Sequence, residues 1–490
     1  MARVVVVGSG NAALCAAIAA AEHGAEVTIL EAGSESDFGG NSRYTAGAMR
    51  FAYAGPDAIL GLLAGSDDER IGISDFGAYP KTQFAEDLRS FSSGLPLNAL
   101  QNLLVDESYA TVAWLSDVGV GFEPIFARQS FLKNGRYRFW GGLTLATAGE
   151  GEGLVQAERR IAEALGCALR LEHVVTELLL DGHRVSGVRC QSDEALQADA
   201  VVLACGGFEA NAELRSRHLG ANWRHAKVRG TPLNTGQGIE MATTIGAATA
   251  GQYGACHAVC MDVSTPNFGA STIAHSERKN FRKISYVFGV MLNRNGVRFV
   301  DEGADFRNYT YAQYGKAVLD QPGAVAWQIF DGQVEKLLYE EYRRDHATRY
   351  RGGSLEELIA MLPGIDRRTA LQTMEDYNRA AVGDGFDPTI KDGCETQGLD
   401  LPKSNWALPL RTPPFLAFEV TGGITFTYGG LAASTDGEVL DDRGEPIDGL
   451  FAAGEIVGGI FFDGYPGGSG LTAGAVMGRR AGRSAASSVM

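Results

Sequence analysis

The sequence lacks the features that mark metal-binding, disulfide-bonded and membrane-spanning proteins. Its 7 cysteines are scattered, and none belongs to a CxxC or CxxCH motif. This pattern argues against a bound metal, an attached haem and a disulfide framework. No stretch approaches the ~20 uninterrupted apolar residues that a membrane helix needs, so we predict no membrane span.

Positive charge is also scarce. The chain has 43 Lys and Arg against 59 Asp and Glu, a formal net charge of −16. This excess of acidic residues disfavours nucleic acid and anionic membrane surfaces as partners. A small carboxylate stays compatible with it, because a few arginines around an enclosed site outweigh the net charge locally. The first apolar run begins at Val4, which leaves no room for a signal peptide, so we expect a cytoplasmic protein.

Glycine, in contrast, is abundant, with 64 among 490 residues. The glycines form short groups near the ends of predicted strands. A fold that repeatedly brings its backbone against a long cofactor needs such groups, because only glycine lets the chain approach without a side chain. The length exceeds what one compact core accommodates, so we expect two domains.

The chain opens on a dinucleotide-binding pattern. Four valines at 4–7 predict a buried parallel strand, and Gly8 permits the sharp turn that follows it. Gly10 lets a pyrophosphate approach the N–H groups that begin the next helix, with Ala13 in the third position of the fingerprint. Glu31 ends the second predicted strand, where an acidic residue binds the adenosine ribose.

The middle of the chain follows a different pattern. Residues 174–180 and 184–190 flank an Asp-Gly turn and predict a β-hairpin, and residues 200–204 predict a buried strand. Residues 354–381 have helical periodicity in two pieces, broken by a Pro-Gly pair. The glycine-rich strand pattern resumes at Ala417. The C-terminus is therefore expected to complete the first domain around a separate α+β unit.

Seven motifs, spread over nearly the whole chain, resemble those of the FAD-dependent fumarate reductase and 3-ketosteroid dehydrogenase superfamily. They are GSGNAA at 8–13, GGNS at 39–42, ACGGF at 204–208, NTGQGIEMA at 234–242, NRNGVRFVDE at 293–302, AAGE at 452–455 and GGSGLTAGAVMGRRAG at 467–482. The resemblance implies an α/β fold, with a Rossmann-like FAD-binding domain built from both chain ends and an inserted α+β cap domain that holds the substrate. We place the FAD-binding domain at 1–262 and 401–490 and the cap at 263–400.

The resemblance also implies which residues bind FAD. The flavin cofactor needs backbone donors at two phosphates, a ribitol and a wide ring, which explains several glycine turns where a nicotinamide cofactor requires one. Residues 39–42 are expected at the phosphates and ring edge, and the N–H groups of residues 470–472 at the flavin carbonyl. The expected cofactor-binding residues are Gly8, Gly10, Asn11, Ala12, Ala13, Glu31, Gly39, Gly40, Asn41, Ser42, Val174, Ala204, Cys205, Gly206, Gly454, Glu455, Gly470, Leu471 and Thr472.

The FAD is predicted to be dissociable. Respiratory members of the superfamily attach flavin covalently through a histidine near the GG-x-S segment, and none of the 8 histidines here lies between residues 24 and 172. No second nucleotide fingerprint is evident, so NAD(P)H is not implied.

Two positions depart from the fumarate reductases. Those enzymes place a histidine before the TxGG stretch and an arginine before the last GG pair, and the corresponding residues here are Phe426 and Tyr465. Neither replaces a charged contact to a carboxylate. Tyr465 resembles instead a ketosteroid dehydrogenase tyrosine that polarises the substrate ketone together with a backbone N–H, and the alternative is an aromatic that packs over the flavin. We expect Phe426, Gly468 and Ser469 at the substrate.

The cap is expected to supply the catalytic base. The segment before Arg307 resembles one from which reductases supply an arginine proton donor, with one residue inserted. Tyr309 and Tyr311 follow it, and a tyrosinate whose pKa is lowered by a neighbouring arginine is a competent base. Either tyrosine is the candidate base, with Arg307 as activator or carboxylate anchor; the alternative is a helix of packing Tyr and Arg side chains.

These residues favour an FAD-dependent dehydrogenase that introduces a C=C bond beside the carbonyl of a cyclic ketone or keto acid, such as a 3-ketosteroid or a 4-oxocyclohexanecarboxylate. One alternative is a fumarate reductase-like or tricarballylate dehydrogenase-like enzyme that acts on polycarboxylates. The other is a flavin-binding electron-transfer subunit without chemistry. The expected partners are a small ketone or carboxylate substrate and an electron acceptor of unspecified kind.

Overall fold

The computed structural model describes residues 1–63, 65–139, 141–266, 277, 279–381 and 385–488. The chain divides into two compact units, each built from separate segments. The first unit contains Met1–Leu214, Gly230–Cys256 and Phe426–Met490, and the second contains Arg215–Arg229 and His257–Thr425. The first unit therefore includes both chain ends. The domain boundaries placed at 262 and 400 from the sequence stay predictions.

The first unit is organised by a six-stranded sheet with the first strand near its middle. The strands lie in the order Glu438–Leu440, Pro446–Ala452, Ala200–Leu203, Arg3–Val7, Glu26–Leu30 and Ala168–Arg170. All neighbours are parallel except the outer pair at the C-terminal edge. The four valines of the first strand are buried, as a parallel strand covered on both faces requires.

Helices and smaller sheets complete the first unit. Its helices are Asn11–Glu22, Pro56–Leu62, Lys81–Ser90, Ala99–Val118, Phe126–Gln129, Glu150–Ala164, Gln237–Thr244 and Ser469–Ser487, and helix Ala212–Leu219 crosses into the second unit. Its small sheets are Val175–Asp181 with Arg184–Cys190 and Ala195–Gln197; Ala48–Met49 with Leu145–Thr147 and Phe122–Pro124; Ser74–Asp75 with Arg136–Phe139 and Ser130–Lys133; and Thr249–Ala250 with Gly430–Leu431. The predicted hairpin and the predicted strand after it are confirmed.

The first and last helices of this unit touch backbone to backbone. A Cβ on Gly482 would lie 2.1 Å from the carbonyl oxygen of Ala16, and one on Gly478 would lie 2.3 Å from that of Ala12. Such contact requires residues without side chains at the crossing. The alanine-rich first helix, whose first ten residues are all buried, supplies the other half of this surface.

The second unit is built on a mixed sheet around one long strand, and three end residues of its strands, Cys256, Phe426 and Thr427, belong to the first unit. Strands Lys227–Val228, Phe415–Thr427, Ala326–Phe330 and Val290–Asn293 lie in that order, and Cys256–Asp262 and Arg349–Gly352 also pair with the long strand. Its helices are Arg307–Leu319, Leu355–Met361 and Arg367–Ala380. The last two of these helices confirm the two-piece helical region. The side chains of Ser354 and Asp366 cap their N-termini. Within the part of the chain that the structure describes, no helix has the length and apolar character needed to cross a bilayer.

Candidate functional site

The turn after the first strand presents backbone N–H groups. Gly8 has a φ of 113°, and a Cβ there would lie 2.5 Å from the carbonyl oxygen of Ala204, so the turn requires glycine. The next helix begins at Asn11. The N–H groups of its first turn, including those of Ala12 and Ala13, have no carbonyl of their own helix to bond. Backbone donors are therefore present where the sequence predicts the pyrophosphate.

Glu31 ties this turn to the GGNS segment. One carboxyl oxygen accepts a hydrogen bond from Ser9 Oγ, and the other accepts from the N–H of Gly33 at 2.7 Å. Ser9 Oγ in turn accepts from the N–H of Gly39 at 2.8 Å. Glu31 is buried, and that burial raises its pKa above the ordinary value. Its predicted contact with ribose stays a prediction.

Three predicted cofactor segments meet at the start of the first helix. The N–H of Asn11 donates to Ser42 Oγ at 3.0 Å, and Asn11 Nδ2 donates to the carbonyl of Leu471 at 2.8 Å. A Cβ on Gly40 would lie 3.7 Å from the Cα of Gly10. Asn11 thus binds Ser42 through its backbone N–H and Leu471 through its side-chain amide. These partners lie 31 and 460 positions from it in the chain.

A pair of carboxyl groups joins further predicted segments. Glu209 and Glu455 hydrogen-bond each other. Glu209 also accepts from the side-chain amides of Asn41 and Asn234, the latter at 2.6 Å, and Glu455 accepts from the N–H of Thr427 at 2.7 Å. Burial raises the pKa of both carboxyls, and the nearby Glu455 raises that of Glu209 further. Because two adjacent carboxylates in such surroundings cannot both ionise cheaply, the pair keeps a proton to a higher pH than an ordinary glutamate does.

The other predicted cofactor residues flank strands of the same unit. They are Val174, Ala204, Cys205, Gly206 and Gly454. A Cβ on Gly206 would lie 2.2 Å from Nδ2 of Asn234, and one on Gly454 would lie 2.7 Å from the Cβ of Ala12. Two glycine turns therefore pack closely on the carboxyl-pair network and on the first helix, while their contacts with FAD stay predictions.

The start of the last helix offers polar groups to a ligand. Gly468 precedes the helix and Ser469 is its first residue, so the N–H groups of Gly470 and Leu471 have no intrahelical partner. Thr472 is fully buried, and its Oγ1 has no hydrogen-bond partner among the residues described. A buried hydroxyl left without a partner costs about 1–3 kcal/mol. These donors and the first-turn donors of the first helix fit FAD, whose ring carbonyls and phosphates both need such groups.

Phe426 and Tyr465 lie together at this helix start. Their rings are 5.3 Å apart and nearly perpendicular, at 83°. A Cβ on Gly470 would lie 3.6 Å from Phe426 and 3.8 Å from Tyr465. Tyr428 and Phe461 complete what we call the aromatic set, with neighbouring ring centroids 5.3–6.0 Å apart. The two positions that depart from the fumarate reductases are therefore neighbours.

The second unit holds the predicted base and activator on helix Arg307–Leu319. The Arg307 guanidinium lies over the ring of Tyr339, 4.4 Å from its centroid. Tyr311 follows Arg307 one turn later on the same face of the helix. Tyr309 lies between the two in the sequence and is half-buried. Their roles stay predictions.

The structure adds two residues that sequence reasoning missed, His257 and Arg229. The ring of His257 packs edge-on against Tyr311, with centroids 5.1 Å apart. Burial, and then the charge of Arg229, hold the pKa of His257 well below its ordinary value, so the imidazole is neutral at pH 7. Arg229 also donates to Thr425 Oγ1 at 2.6 Å. No motif marks either residue, because each lies in a stretch with an ordinary strand pattern.

Known proteins resemble this chain over nearly its full length. The family described as FAD binding domain matches residues 3–471. The probable fumarate reductase Ifc3 of Shewanella frigidimarina (strain NCIMB 400) is 30% identical over 497 residues, covering 99% of this chain and 74% of that protein. The 4-oxocyclohexanecarboxylate 2-dehydrogenase of Sinomonas cyclohexanicum is 30% identical over 539 residues, covering 97% and 90%.

A solved structure agrees with these sequence matches. The 3-ketosteroid-delta4-(5alpha)-dehydrogenase from Rhodococcus jostii RHA1, in complex with 4-androstene-3,17-dione, has a TM-score of 0.70 to this chain at 26% identity. The match covers 99% of this chain and 96% of that one. The FAD fold expected from the glycine turns is therefore confirmed. The chain belongs to the FAD binding domain family and is an FAD-dependent oxidoreductase of the group that includes fumarate reductases and 3-ketosteroid dehydrogenases.

Proposed function

We propose that this oxidoreductase desaturates a cyclic ketone or keto acid next to its carbonyl group. The observation that carries the proposal is the aromatic set, in which Phe426 and Tyr465 lie side by side against Gly470. Rings with one well-placed hydroxyl suit a cyclic ketone, whereas a dicarboxylate needs charged donors. The relative named 4-oxocyclohexanecarboxylate 2-dehydrogenase, similar over 97% of this chain, supports the same substrate class.

Tyr465 has the role of the ketone's hydrogen-bond donor. Its phenolic hydroxyl donates to the carbonyl oxygen, and an N–H group at the start of the last helix is a second donor. This polarisation acidifies the adjacent C–H bond, so the α-proton leaves to a base. Bound FAD supplies the acceptor for the hydride that leaves the β-carbon. The product is an α,β-unsaturated ketone.

Tyr311 is the base that the second unit supports best. As a tyrosinate it takes the α-proton on its phenolic oxygen, and the ring of His257 packs edge-on beside it. Arg307, one turn earlier on the same helix, is the proposed anchor for the carboxylate of a keto acid. Tyr309 is the second choice of base.

A substrate screen distinguishes this function from its rivals. We expect anaerobic bleaching of the bound flavin by cyclic ketones or oxocyclohexanecarboxylates, with succinate and tricarballylate as the comparison. Bleaching by the polycarboxylates alone would overturn the proposal in favour of a reductase-like enzyme. No bleaching by either class would favour an electron-transfer subunit.

The first prediction concerns the Tyr465 hydroxyl. Tyr465→Phe keeps the ring and its packing but removes the donor, so the rate of flavin bleaching falls by about 10²–10³-fold, the usual cost of one oxyanion donor. The content of bound FAD, read from its absorbance, stays at the wild-type level. Tyr109→Phe removes another hydroxyl of the same unit, which donates to the Ala58 carbonyl, and serves as the control. Equal rates for both variants would contradict the assignment.

A further inference from the structure

Arg50 is a buried arginine whose donors converge on the turn before the last helix. Its side chain has no exposed surface. Its backbone N–H donates to the carbonyl of Gly468 at 3.0 Å, and its Nε donates to the carbonyl of Gly467 at 2.8 Å. Nη1 donates to the carbonyl of Gly141. One residue thus binds two consecutive carbonyls of the segment that follows Tyr465.

The same segment is bonded internally as well. The N–H and Oγ of Ser469 both donate to the carbonyl of Pro466, at 3.0 and 2.6 Å. The carbonyls of residues 466, 467 and 468 therefore all have donors. Because these residues connect Tyr465 to Gly470, their orientation sets both the position of the phenol and the direction of the first N–H groups of the helix.

Burying the charge of Arg50 costs free energy that a residue serving only to fill space would not incur. Asp87 lies 3.5 Å from its guanidinium and accepts from Tyr79 and, at 2.9 Å, from Gln83. The guanidinium also lies 5.1 Å from the centre of the Tyr79 ring. Replacing a buried ion pair by apolar or neutral groups is often neutral for stability, so stability alone does not account for this one. The planar guanidinium of Arg50 donates to the carbonyls of Gly141 and Gly467, and this reach explains why an arginine is present here.

We propose that Arg50 is a positioning residue for the reaction, which holds the Gly467–Gly468 turn so that Tyr465 and the N–H groups at the start of the last helix keep their catalytic orientation. The part of this role that concerns Tyr465 rests on the proposed function. The part that concerns the N–H groups does not, because any of them that is predicted to donate to the flavin carbonyl does so whatever the substrate is. Donors directed at the flavin carbonyl favour its reduced, anionic form.

The test is the double variant Arg50→Met/Asp87→Asn, which removes both buried charges and leaves an acceptor for Tyr79. We expect it to bind FAD and to release it at nearly the wild-type temperature. The midpoint potential of the bound flavin becomes more negative, and kcat falls by at least about tenfold and up to about 10²-fold with little change in KM. Arg50→Lys keeps a charge beside Asp87 but not the fork, and it lowers the potential in the same direction.

The matched control is Arg215→Lys, another buried arginine that donates to two backbone carbonyls, those of Trp223 at 3.0 Å and Arg224 at 3.3 Å. It leaves the potential unchanged. A wild-type potential in the double variant would overturn the proposal, and so would a fall in potential that merely follows weaker FAD binding. If no ketone bleaches the wild-type flavin, the proposed function fails while the potential still decides the role of Arg50.

Discussion

At the scale of single residues, the carboxyl pair Glu209 and Glu455 in the first unit binds a proton more tightly than an ordinary glutamate does. Both groups have raised pKa values because burial disfavours their charged forms. The folded protein therefore keeps a proton that the unfolded chain releases above the ordinary glutamate pKa of about 4.3. Because the folded state binds more protons in that range, stability falls as pH rises from the ordinary value through the raised one.

The second prediction follows from this proton. Glu209→Gln supplies a permanently neutral partner to Glu455, so it removes part of the loss of stability with rising pH. The temperature at which flavin fluorescence appears on heating, measured from pH 5 to pH 9, declines less steeply than in the wild type. Glu177→Gln is the control, since its exposed carboxylate is bonded only to Arg189 among the described residues. A wild-type slope for Glu209→Gln would show that the pair holds no extra proton.

The place of single residues in the fold was predictable where glycine or a motif marked it. Gly8, Gly10 and Glu31 followed from the first 31 residues, because a strand, a turn and a helix start are local patterns. Arg50 and Glu209 were not predictable, since the bonds of Arg50 to Gly467 and of Glu209 to Glu455 join residues far apart in the chain. Such pairings depend on the packing of distant segments, which hydrophobic periodicity does not report.

At the scale of elements, the contact between the first and last helices organises the cofactor segments. Their starts are joined through Asn11 and Leu471, and farther along them Gly478 and Gly482 allow backbone contact. The sequence predicted both helices and the start of the last one. Their contact was not predictable, because the glycines at 470, 474, 478 and 482 show only that one face of the helix is small.

The third prediction, Gly482→Ala, tests this contact. The new methyl group would lie 2.1 Å from the Ala16 carbonyl oxygen, where neither backbone has room to move without separating the helices. We expect a loss of about 1–3 kcal/mol in stability, the range for overpacking, seen as flavin release at a lower temperature. Gly61→Ala is the control, because that helical glycine has nothing within 4 Å. Alanine there is neutral or slightly stabilising. A Gly482→Ala protein as stable as this control would mean that the helices lie farther apart.

At the scale of the whole molecule, family membership settles the cofactor but not its attachment. The absence of histidines between residues 24 and 172 predicts dissociable FAD. The fourth prediction is that denaturation in urea followed by filtration recovers the flavin in the filtrate and leaves a colourless polypeptide. Free FAD carried through the same steps is the control for recovery. Flavin that stays with the denatured chain would contradict the prediction and require an attachment site other than the respiratory histidine.

The order of strands in the main sheet has a consequence for biosynthesis. Strand Ala200–Leu203 lies between Arg3–Val7 and Pro446–Ala452, and the latter is synthesised more than 240 residues after Leu203. During translation the N-terminal part of the first unit must therefore wait for Pro446–Ala452 before its sheet is complete and for Ser469–Ser487 before its last helix forms. The buried strand Ala200–Leu203 lacks its neighbour Pro446–Ala452 throughout that interval. FAD, whose predicted binding residues lie at the N-termini of both Asn11–Glu22 and Ser469–Ser487, is consequently expected to bind only after the second of these helices has left the ribosome.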